Sequence, residues 1–524
     1  MTRSIGITLL AGAVGLAAAC AAAGVRAPVR PDPAAAAAAR MAEADALFSA
    51  GHFNALKDAA RIYAELAAAS PAMPQAAEKR LRAAIALGLR ARELGLSPDA
   101  PELDAGSLTA REPALERYAP WLELLAGLPF KIKGNPGLDR IGGRDLDAHL
   151  DWINARIADL DRGLETEEKV DDLAAAIRLA LRSAFGYKFT DQFDPKAAVA
   201  LHPASRLVAF QAALSPAYDF DALDKLLAED QDFAEVRYYL GEAALLAGKL
   251  LTAEKHYLEA DGRVPGSLSV LISLAKVAFQ MEEPEACLEW NEKALALLPV
   301  YRDALLGKGL ALGYLGRNEE ALAVLGRLLE LGTYYMGEGH YWSAWNLHEL
   351  GRLEEARREV EAAKVFLVGV PDVATLSGIV AYKQGRLEDA ERDLRQALDL
   401  APEDADAAFH LGRLYADRKD WLNSGIYFSG AAGSFEDRER ALEKKIGEIE
   451  ASDMALERRN RLVIRKKVQV LAVQATKATA QYNGAAGYHN AGSLERALDL
   501  ARLSAAHPAF ADKAAELIKL ILER

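Results

Sequence analysis

Between residues 234 and 438, apolar and small residues follow a pattern that returns every 34 or 35 residues. Each period holds two blocks in which apolar residues recur three or four positions apart, as they do on one face of a helix. A turn residue separates the blocks, at Gly248, Glu282, Gly316, Gly351, Gly385 and Lys419. The pattern predicts six helix pairs, which begin near Ala234, Leu268, Arg302, Gly337, Pro371 and Ala405.

Small residues mark the place where the two helices of each pair meet. In the first helices these residues are Gly241, Ala275, Gly309, Ala344, Gly378 and Gly412. In the second helices they are Ala253, Cys287, Ala321, Ala356, Ala390 and Ser424. Two helices approach closely only where their side chains are small. Because one pair cannot bury its own apolar faces, neighbouring pairs must stack into a solenoid with a concave surface.

The spacing of Leu240-Gly241, Gly248, Ala253, Tyr257, Ala260 and Pro265 resembles the tetratricopeptide repeat, whose period is 34 residues. The resemblance implies an all-α fold, a right-handed superhelical solenoid of helix-turn-helix repeats with an irregular helical region at its N-terminal end. It also implies that a protein or peptide segment binds in the concave groove.

The pattern divides the chain into six parts. They are a signal peptide (1–19), an Ala/Pro-rich tether (20–39), a helical region with degenerate repeat-like hairpins (40–233), six contiguous repeats (234–438), an irregular hairpin with a long helix (439–477), and a C-terminal repeat with a capping helix (478–524). Residues 97–142 are the least regular part, because several prolines interrupt any long helix there.

The part after the repeats has its own pattern. Apolar residues fall seven apart, at Leu442, Ile449, Leu456, Val463 and Val470, which is half of a coiled-coil seam and favours a long helix lying across the solenoid. A basic stripe accompanies it, formed by Arg458, Arg459, Arg461, Arg465, Lys466 and Lys467. The stripe is either a solvated face or a contact for an acidic partner or an anionic membrane surface.

The first residues indicate export. Arg3 precedes the apolar run 5–16, and three alanines precede Cys20, as in a secretory signal peptide. A cysteine after small residues resembles the lipobox of bacterial lipoproteins, although Ala17 stands where Leu, Val or Ile is usual. The resemblance implies a lipidated Cys20, a lipid anchor in the cell-envelope membrane, and a folded part that is periplasmic or surface-exposed. The alternative is cleavage at a neighbouring alanine, which would give a soluble exported protein.

Charge and motifs narrow the possible chemistry. A net charge of −13 argues against nucleic acid as a partner, because phosphate recognition needs clustered Lys and Arg. Asp145, Asp147, His149 and Asp151 lie in a helix with a regular apolar seam. Asp147 and Asp151 then share a solvated face and His149 points elsewhere, so we interpret the cluster as part of a charged outer face and not as a site. A site in residues 97–233 that uses His149 or Asp151 is the remaining enzyme hypothesis. With no zinc-protease or serine-hydrolase motif present, the sequence predicts no enzyme, no cofactor and no metal site.

The groove residues follow from the resemblance, since positions 2, 5, 9, 12 and 13 of each first helix face the groove in this family. We select ten residues from those positions, namely Tyr238, Glu242, Phe279, Tyr314, Tyr341, Trp345, Tyr382, Lys383, Phe409 and Arg413. Most of them are aromatic in a chain that is only 7% aromatic, and aromatic and Arg side chains dominate recognition surfaces.

Two functions are compatible with these residues. The first is a membrane-anchored adaptor or scaffold that mediates protein–protein interactions in the bacterial cell envelope. The alternative is an envelope lipoprotein that binds a glycan or another small ligand by stacking it on aromatic rings. No repeat has Lys at position 5 with Asn at position 9, the pair with which some family members grip acidic chaperone tails, so that partner is not predicted.

Overall fold

The computed structural model describes residues 33–69, 74–96, 171–185, 194–214, 218–332 and 335–523. Within these ranges every regular element is helical. The predicted signal peptide, Cys20, the irregular segment 97–142 and the acidic residues around His149 lie outside the described residues.

In the described part of the chain before residue 206, five helices precede the repeat-like pairs. They are α1 Pro33–Ala50, α2 Phe53–Ala69, α3 Pro74–Leu94, α4 Asp172–Phe185 and α5 Pro195–Leu201. Helix α1 begins inside the segment that the sequence assigned to the tether. The reason is local, since consecutive alanines have the highest helix propensity and proline suits the first helical position.

Seven helix pairs then follow one another along the chain. A short pair, α6 Arg206–Ala213 and α7 Phe220–Glu229, precedes the regular array. The first five regular pairs are α8 Ala234–Leu246 with α9 Leu250–Arg263, α10 Leu268–Gln280 with α11 Pro284–Leu297, α12 Arg302–Tyr314 with α13 Asn318–Glu330, α14 Met336–Glu349 with α15 Leu353–Phe366, and α16 Pro371–Lys383 with α17 Leu387–Leu400. The sixth consists of α18 Ala405–Asp417 and the first half of α19. Their predicted starts are confirmed, with α14 beginning one residue early.

The last helices depart from this regularity. Helix α19 runs without a break from Trp421 to Glu450, and α20 runs from Leu456 to Asn490. The boundaries drawn at 438 and 477 therefore fall inside helices, because no residue there ends either one. The turn at 451–455 interrupts the heptad seam and leaves Leu456 63% exposed. Helices α21 Leu494–Ala505 and α22 Ala511–Leu522 complete the chain.

Buried contacts join the N-terminal helices to the first repeats. The Arg90 and Glu235 side chains are both fully buried and lie 3.9 Å apart, and Glu235 also accepts a hydrogen bond from the Phe53 amide at 2.8 Å. Burial raises the pKa of Glu235 to about 7 against the opposing charge of Arg90. In the second repeat, the Ser267 hydroxyl donates to the Leu94 carbonyl at 2.5 Å. Helices α2 and α3 are thus part of the same folded body as the first two repeats.

Each helix pair closes on its small residue. A β-carbon on Gly378 would lie 2.5 Å from Cγ of Leu394, and one on Gly412 would lie 2.7 Å from Cγ of Phe428. Both values are far below van der Waals contact, so the opposing side chains fill the space that glycine leaves. Leu394 and Phe428 are almost fully buried.

We predict that Gly378→Ala destabilises the protein by about 1–3 kcal/mol, because the added methyl group overpacks the seam against Leu394. Gly430→Ala is the matched control, since Gly430 is an exposed position of α19 with no atom near its missing side chain. That control should stabilise by up to about 1 kcal/mol through helix propensity. Urea denaturation followed by circular dichroism measures both variants, and equal effects would contradict the packing argument.

Candidate functional site

The groove contains a cluster of aromatic rings contributed by three consecutive first helices. Tyr314 and Trp345 are stacked, with ring centroids 6.0 Å apart and an interplanar angle of 24°. Phe279 meets Tyr314 edge-on at 5.4 Å. Tyr314 is 56% exposed, whereas Phe279 and Trp345 are half-buried. The rings support one another from repeat to repeat and leave the Tyr314 face open to a ligand.

Trp342 belongs to this cluster although the sequence analysis did not select it. Its ring centroid lies 5.8 Å from those of both Tyr314 and Trp345, and Tyr341 meets it edge-on at 5.3 Å. The residue is at position 6 when its repeat is counted from Gly337, outside the positions assigned to the groove. Its place beside Tyr341 in a run of aromatic residues was the only available signal. We call Phe279, Tyr314, Tyr341, Trp342 and Trp345 the aromatic centre.

Carboxylates lie close to the aromatic centre. Burial raises the pKa of Tyr314, and the charges of Glu282 and Asp372 raise it further. The pKa of Tyr341 is raised by burial and by Asp372. A tyrosine hydroxyl is protonated at neutral pH even without such a shift, so both hydroxyls can donate hydrogen bonds.

Helix α20 forms a wall beside the aromatic centre. A cavity of about 690 Å³ lies between Phe279 and Tyr314 on one side and Arg465 and Gln469 on the other. Its size falls within the range of ligand pockets in general. The site is therefore bounded by helix α20 as well as by the repeats.

A second group of predicted residues is cationic and lies in repeats five and six. The Arg413 guanidinium lies over the Tyr382 ring, 5.1 Å from its centroid, and the Tyr382 hydroxyl donates to Asp417 at 2.6 Å. Lys383 and Arg413 are exposed and, among the described residues, form no ion pair. Burial, with the charges of Arg413 and Lys383, lowers the pKa of His410 to about 4. This end of the groove thus presents positive charge and a neutral imidazole.

Three predicted residues pack within or between repeats instead. Glu242 accepts hydrogen bonds from Tyr257 at 2.5 Å and from Ser273 at 2.8 Å, which joins the first repeat to the second. Tyr238 packs its ring on Tyr239 and Tyr257. Phe409 contacts Phe428 and Phe435 of α19. Sequence positions could not separate these residues from the open ones, because the same helix face turns toward the groove at one residue and toward the next repeat at another.

The basic stripe is neither a uniformly solvated face nor a free contact surface. Arg458, Arg465 and Lys466 form ion pairs with glutamates of the first two repeats. Arg461 and Lys467 are exposed.

Cys287 is buried at the seam of its pair, and burial raises the pKa of its thiol to about 12. It is a packing residue in an unreactive environment.

The described ranges lack two features that would indicate a metal site or a membrane span. No group of three or more His, Cys, Asp or Glu side chains there is placed to hold a metal ion. In the same ranges no helix is long and apolar enough to cross a membrane.

Comparison with known proteins agrees with the helix pairs. The family model described as tetratricopeptide repeat matches residues 221–267, 306–365 and 375–439. The chain therefore contains tetratricopeptide repeats, and its regular array is a solenoid of that class.

The individual relatives share only limited sequence identity with this chain. Superkiller protein 3 of Saccharomyces cerevisiae is 25% identical over 279 residues, which are 51% of this chain but 19% of that protein. One similar solved structure is YrrB, described as a TPR protein with an unusual peptide-binding site. The two chains are 22% identical, and the match covers 38% of this chain and 99% of YrrB, with a TM-score of 0.31. PilF of Pseudomonas aeruginosa is 21% identical, and the match covers 38% of this chain and 90% of PilF, with a TM-score of 0.34.

We predict that Glu242→Ala lowers the free energy of unfolding more than Tyr314→Ala does, because Glu242 is a packing residue and Tyr314 is a groove residue. Glu242→Ala leaves two hydroxyls without their acceptor and should cost about 1–3 kcal/mol of unfolding free energy. Tyr314→Ala removes a largely exposed ring and should cost less than about 1 kcal/mol. Thermal unfolding of both variants measures the difference. A larger loss for Tyr314→Ala would mean that its ring belongs to the core.

Proposed function

We propose that this protein is a membrane-anchored adaptor of the bacterial cell envelope, which binds a segment of another protein in its groove. The observation that carries the proposal is the stacked and exposed Tyr314 ring at the middle of the aromatic centre. Large aromatic side chains in such positions are typical anchors of recognition surfaces.

The shape of the surface favours a chain segment as the ligand. The aromatic centre extends over repeats two to four, and Lys383 and Arg413 stand at groove positions of the repeat pattern in repeats five and six. A ligand that reaches both must be elongated. Peptide segments that bind grooves as helices or extended strands satisfy this requirement, and they present side chains at regular intervals.

The anchor rests on the N-terminal sequence. Arg3, the apolar run after it and Cys20 are the features of a lipoprotein signal. Several acyl chains on one cysteine would hold the folded part at a membrane, whereas a single chain binds only marginally. The adaptor would then present its groove to partners in the periplasm or at the cell surface.

The groove is tested by crosslinked affinity capture from membranes, with the bound proteins identified by mass spectrometry. We predict that Tyr314→Ala combined with Trp345→Ala abolishes recovery of one specific protein, because the two stacked rings supply the main contact area. Phe366→Ala is the matched control, since it removes an exposed aromatic ring outside the aromatic centre. Unchanged recovery with the double variant would refute the groove assignment.

A different outcome points to the alternative function. If no protein distinguishes the variants and a purified saccharide instead binds saturably, quenching tryptophan fluorescence in the wild type and not in Trp345→Ala, the ligand is a glycan. The same exposed ring would then serve as a stacking platform for a sugar.

The anchor is tested separately. We predict that the wild-type protein sediments with membranes and that Cys20→Ser moves it to the soluble fraction, because the acyl chains have lost their attachment point. Mass spectrometry of the N-terminal peptide should show a diacylglyceryl group on Cys20. Membrane association that persists in Cys20→Ser would rule out lipidation as the anchor.

A further inference from the structure

The hairpin of α19 and α20 reaches back to the start of the array. We call residues 439–477 of this hairpin the strap. At its tip, the Arg458 guanidinium donates to both carboxylate oxygens of Glu254, at 2.6 and 3.0 Å, and to Glu283 at 2.9 Å. Arg458 and Glu254 are 204 residues apart in the sequence. These groups are mostly buried, with side-chain exposures of 24% for Arg458 and 10% for Glu283.

A second set of contacts lies about two turns further along α20. Lys466 forms an ion pair with Glu282 and is only 5% exposed, and the Gln469 amide donates to the same carboxylate at 2.7 Å. Arg465 pairs with Glu285 at 3.0 Å and donates to the Glu282 carbonyl. Burial acts to raise the pKa of Glu282, but the bonds from Lys466 and Gln469 outweigh it and the pKa is lowered. The strap thus stabilises the charged form of the Glu282 carboxylate, at the turn that it contacts.

Glu282 stands at a turn position where glycine is the usual residue. The equivalent residues Gly248, Gly316, Gly351 and Gly385 have φ between 71° and 75°, and Glu282 adopts φ 58°. Residues with a β-carbon are strained in this region, and such strain persists where the surroundings require it. In the second repeat, the contact between the Glu282 carboxylate and the strap explains why a residue with a β-carbon stands at this turn.

Apolar packing does not seal the strap against the repeats. A cavity of about 300 Å³ remains between them, lined by Leu250, Leu251 and Met281 of the repeats and by Ile449, Met454 and Leu462 of the strap. The ion pairs therefore lie beside an apolar contact that is only partly filled. Salt screens the partly exposed Arg465–Glu285 pair most strongly and the more buried pairs of Arg458 and Lys466 less.

We propose that the strap is an ionic latch that closes on the acidic turns of repeats one and two. When closed, it ties the far end of the array to its start and fixes the curvature of the solenoid. It also holds Arg465 and Gln469 as the outer wall of the cavity at Phe279 and Tyr314. When open, it frees the curvature and removes that wall. The role of the wall in binding rests on the proposed function, whereas the latch itself does not.

The latch is tested by the distance between spin labels on the full-length chain, at Leu246→Cys in the first repeat and Lys444→Cys on the strap. Both positions are about four-fifths exposed. Cys20→Ser and Cys287→Ala remove the native thiols. We expect one narrow distance distribution in 0.15 M salt and a second, longer population in 1 M salt, where the Debye length falls from about 8 to about 3 Å.

Glu282→Gly separates the latch from a merely structural role. The substitution relieves the strained backbone but removes the carboxylate that pairs with Lys466, so the longer population should appear in 0.15 M salt. Lys419→Gly is the matched control, since Lys419 is the other non-glycine residue at this turn position, with φ 60°. It should leave the distance unchanged. Lys466→Glu should open the strap, and adding Glu282→Lys should close it again.

The outcomes are distinguishable. An unchanged distance distribution in Glu282→Gly overturns the latch, whatever the capture experiment shows. If the strap opens and Glu282→Gly recovers as much partner as the wild type, the latch stands and the wall is overturned. A loss of partner recovery in the opened variant supports both.

Discussion

The backbones of each helix pair must come into contact at one position, and only a glycine or another small residue fits there. At Gly378 and Gly412 the space for a β-carbon is already taken by the side chain of the opposing helix. Because the approach is so close, the larger apolar residues of the pair interlock and their helices cannot slide or rotate. The same contact repeats along the chain, so it sets the stacking direction and places one face of every first helix on the concave side.

The arrangement of side chains along the groove follows from the close contact between the two helices of each pair. Once small residues occupy the seam, rings on the first helices either pack against the second helix of their own repeat or point into the groove. Tyr238 and Phe409 take the first course and pack against neighbouring rings. Tyr314 takes the second, and its ring is held in position by Trp345 and Phe279. Neighbours thus fix the orientation of an exposed ring before any ligand arrives, which lowers the entropy cost of binding.

The strap adds a long-range contact to an otherwise local architecture. In a repeat solenoid each unit touches its neighbours, and stability is close to a sum of local terms. Here Arg458 and Lys466 bind glutamates that precede them by 204 and 184 residues. The chain therefore closes on itself through charge, beside the face where the aromatic rings are exposed.

The sequence by itself determined the period, the helix pairs and their starts, because small residues, turn residues and apolar spacing are local signals that need no tertiary context. It also indicated which helices face the groove, and so included most of the aromatic centre. It missed Trp342, and it could not separate Tyr314 from Glu242, since that difference depends on which atoms of a neighbouring repeat lie opposite. It offered the strap's basic residues an acidic partner or a membrane surface but no partner within the chain. Only the tertiary structure pairs Arg458 with Glu254 and Glu283, because a contact across some two hundred residues is decided by the accumulated curvature of the array, which no local pattern encodes.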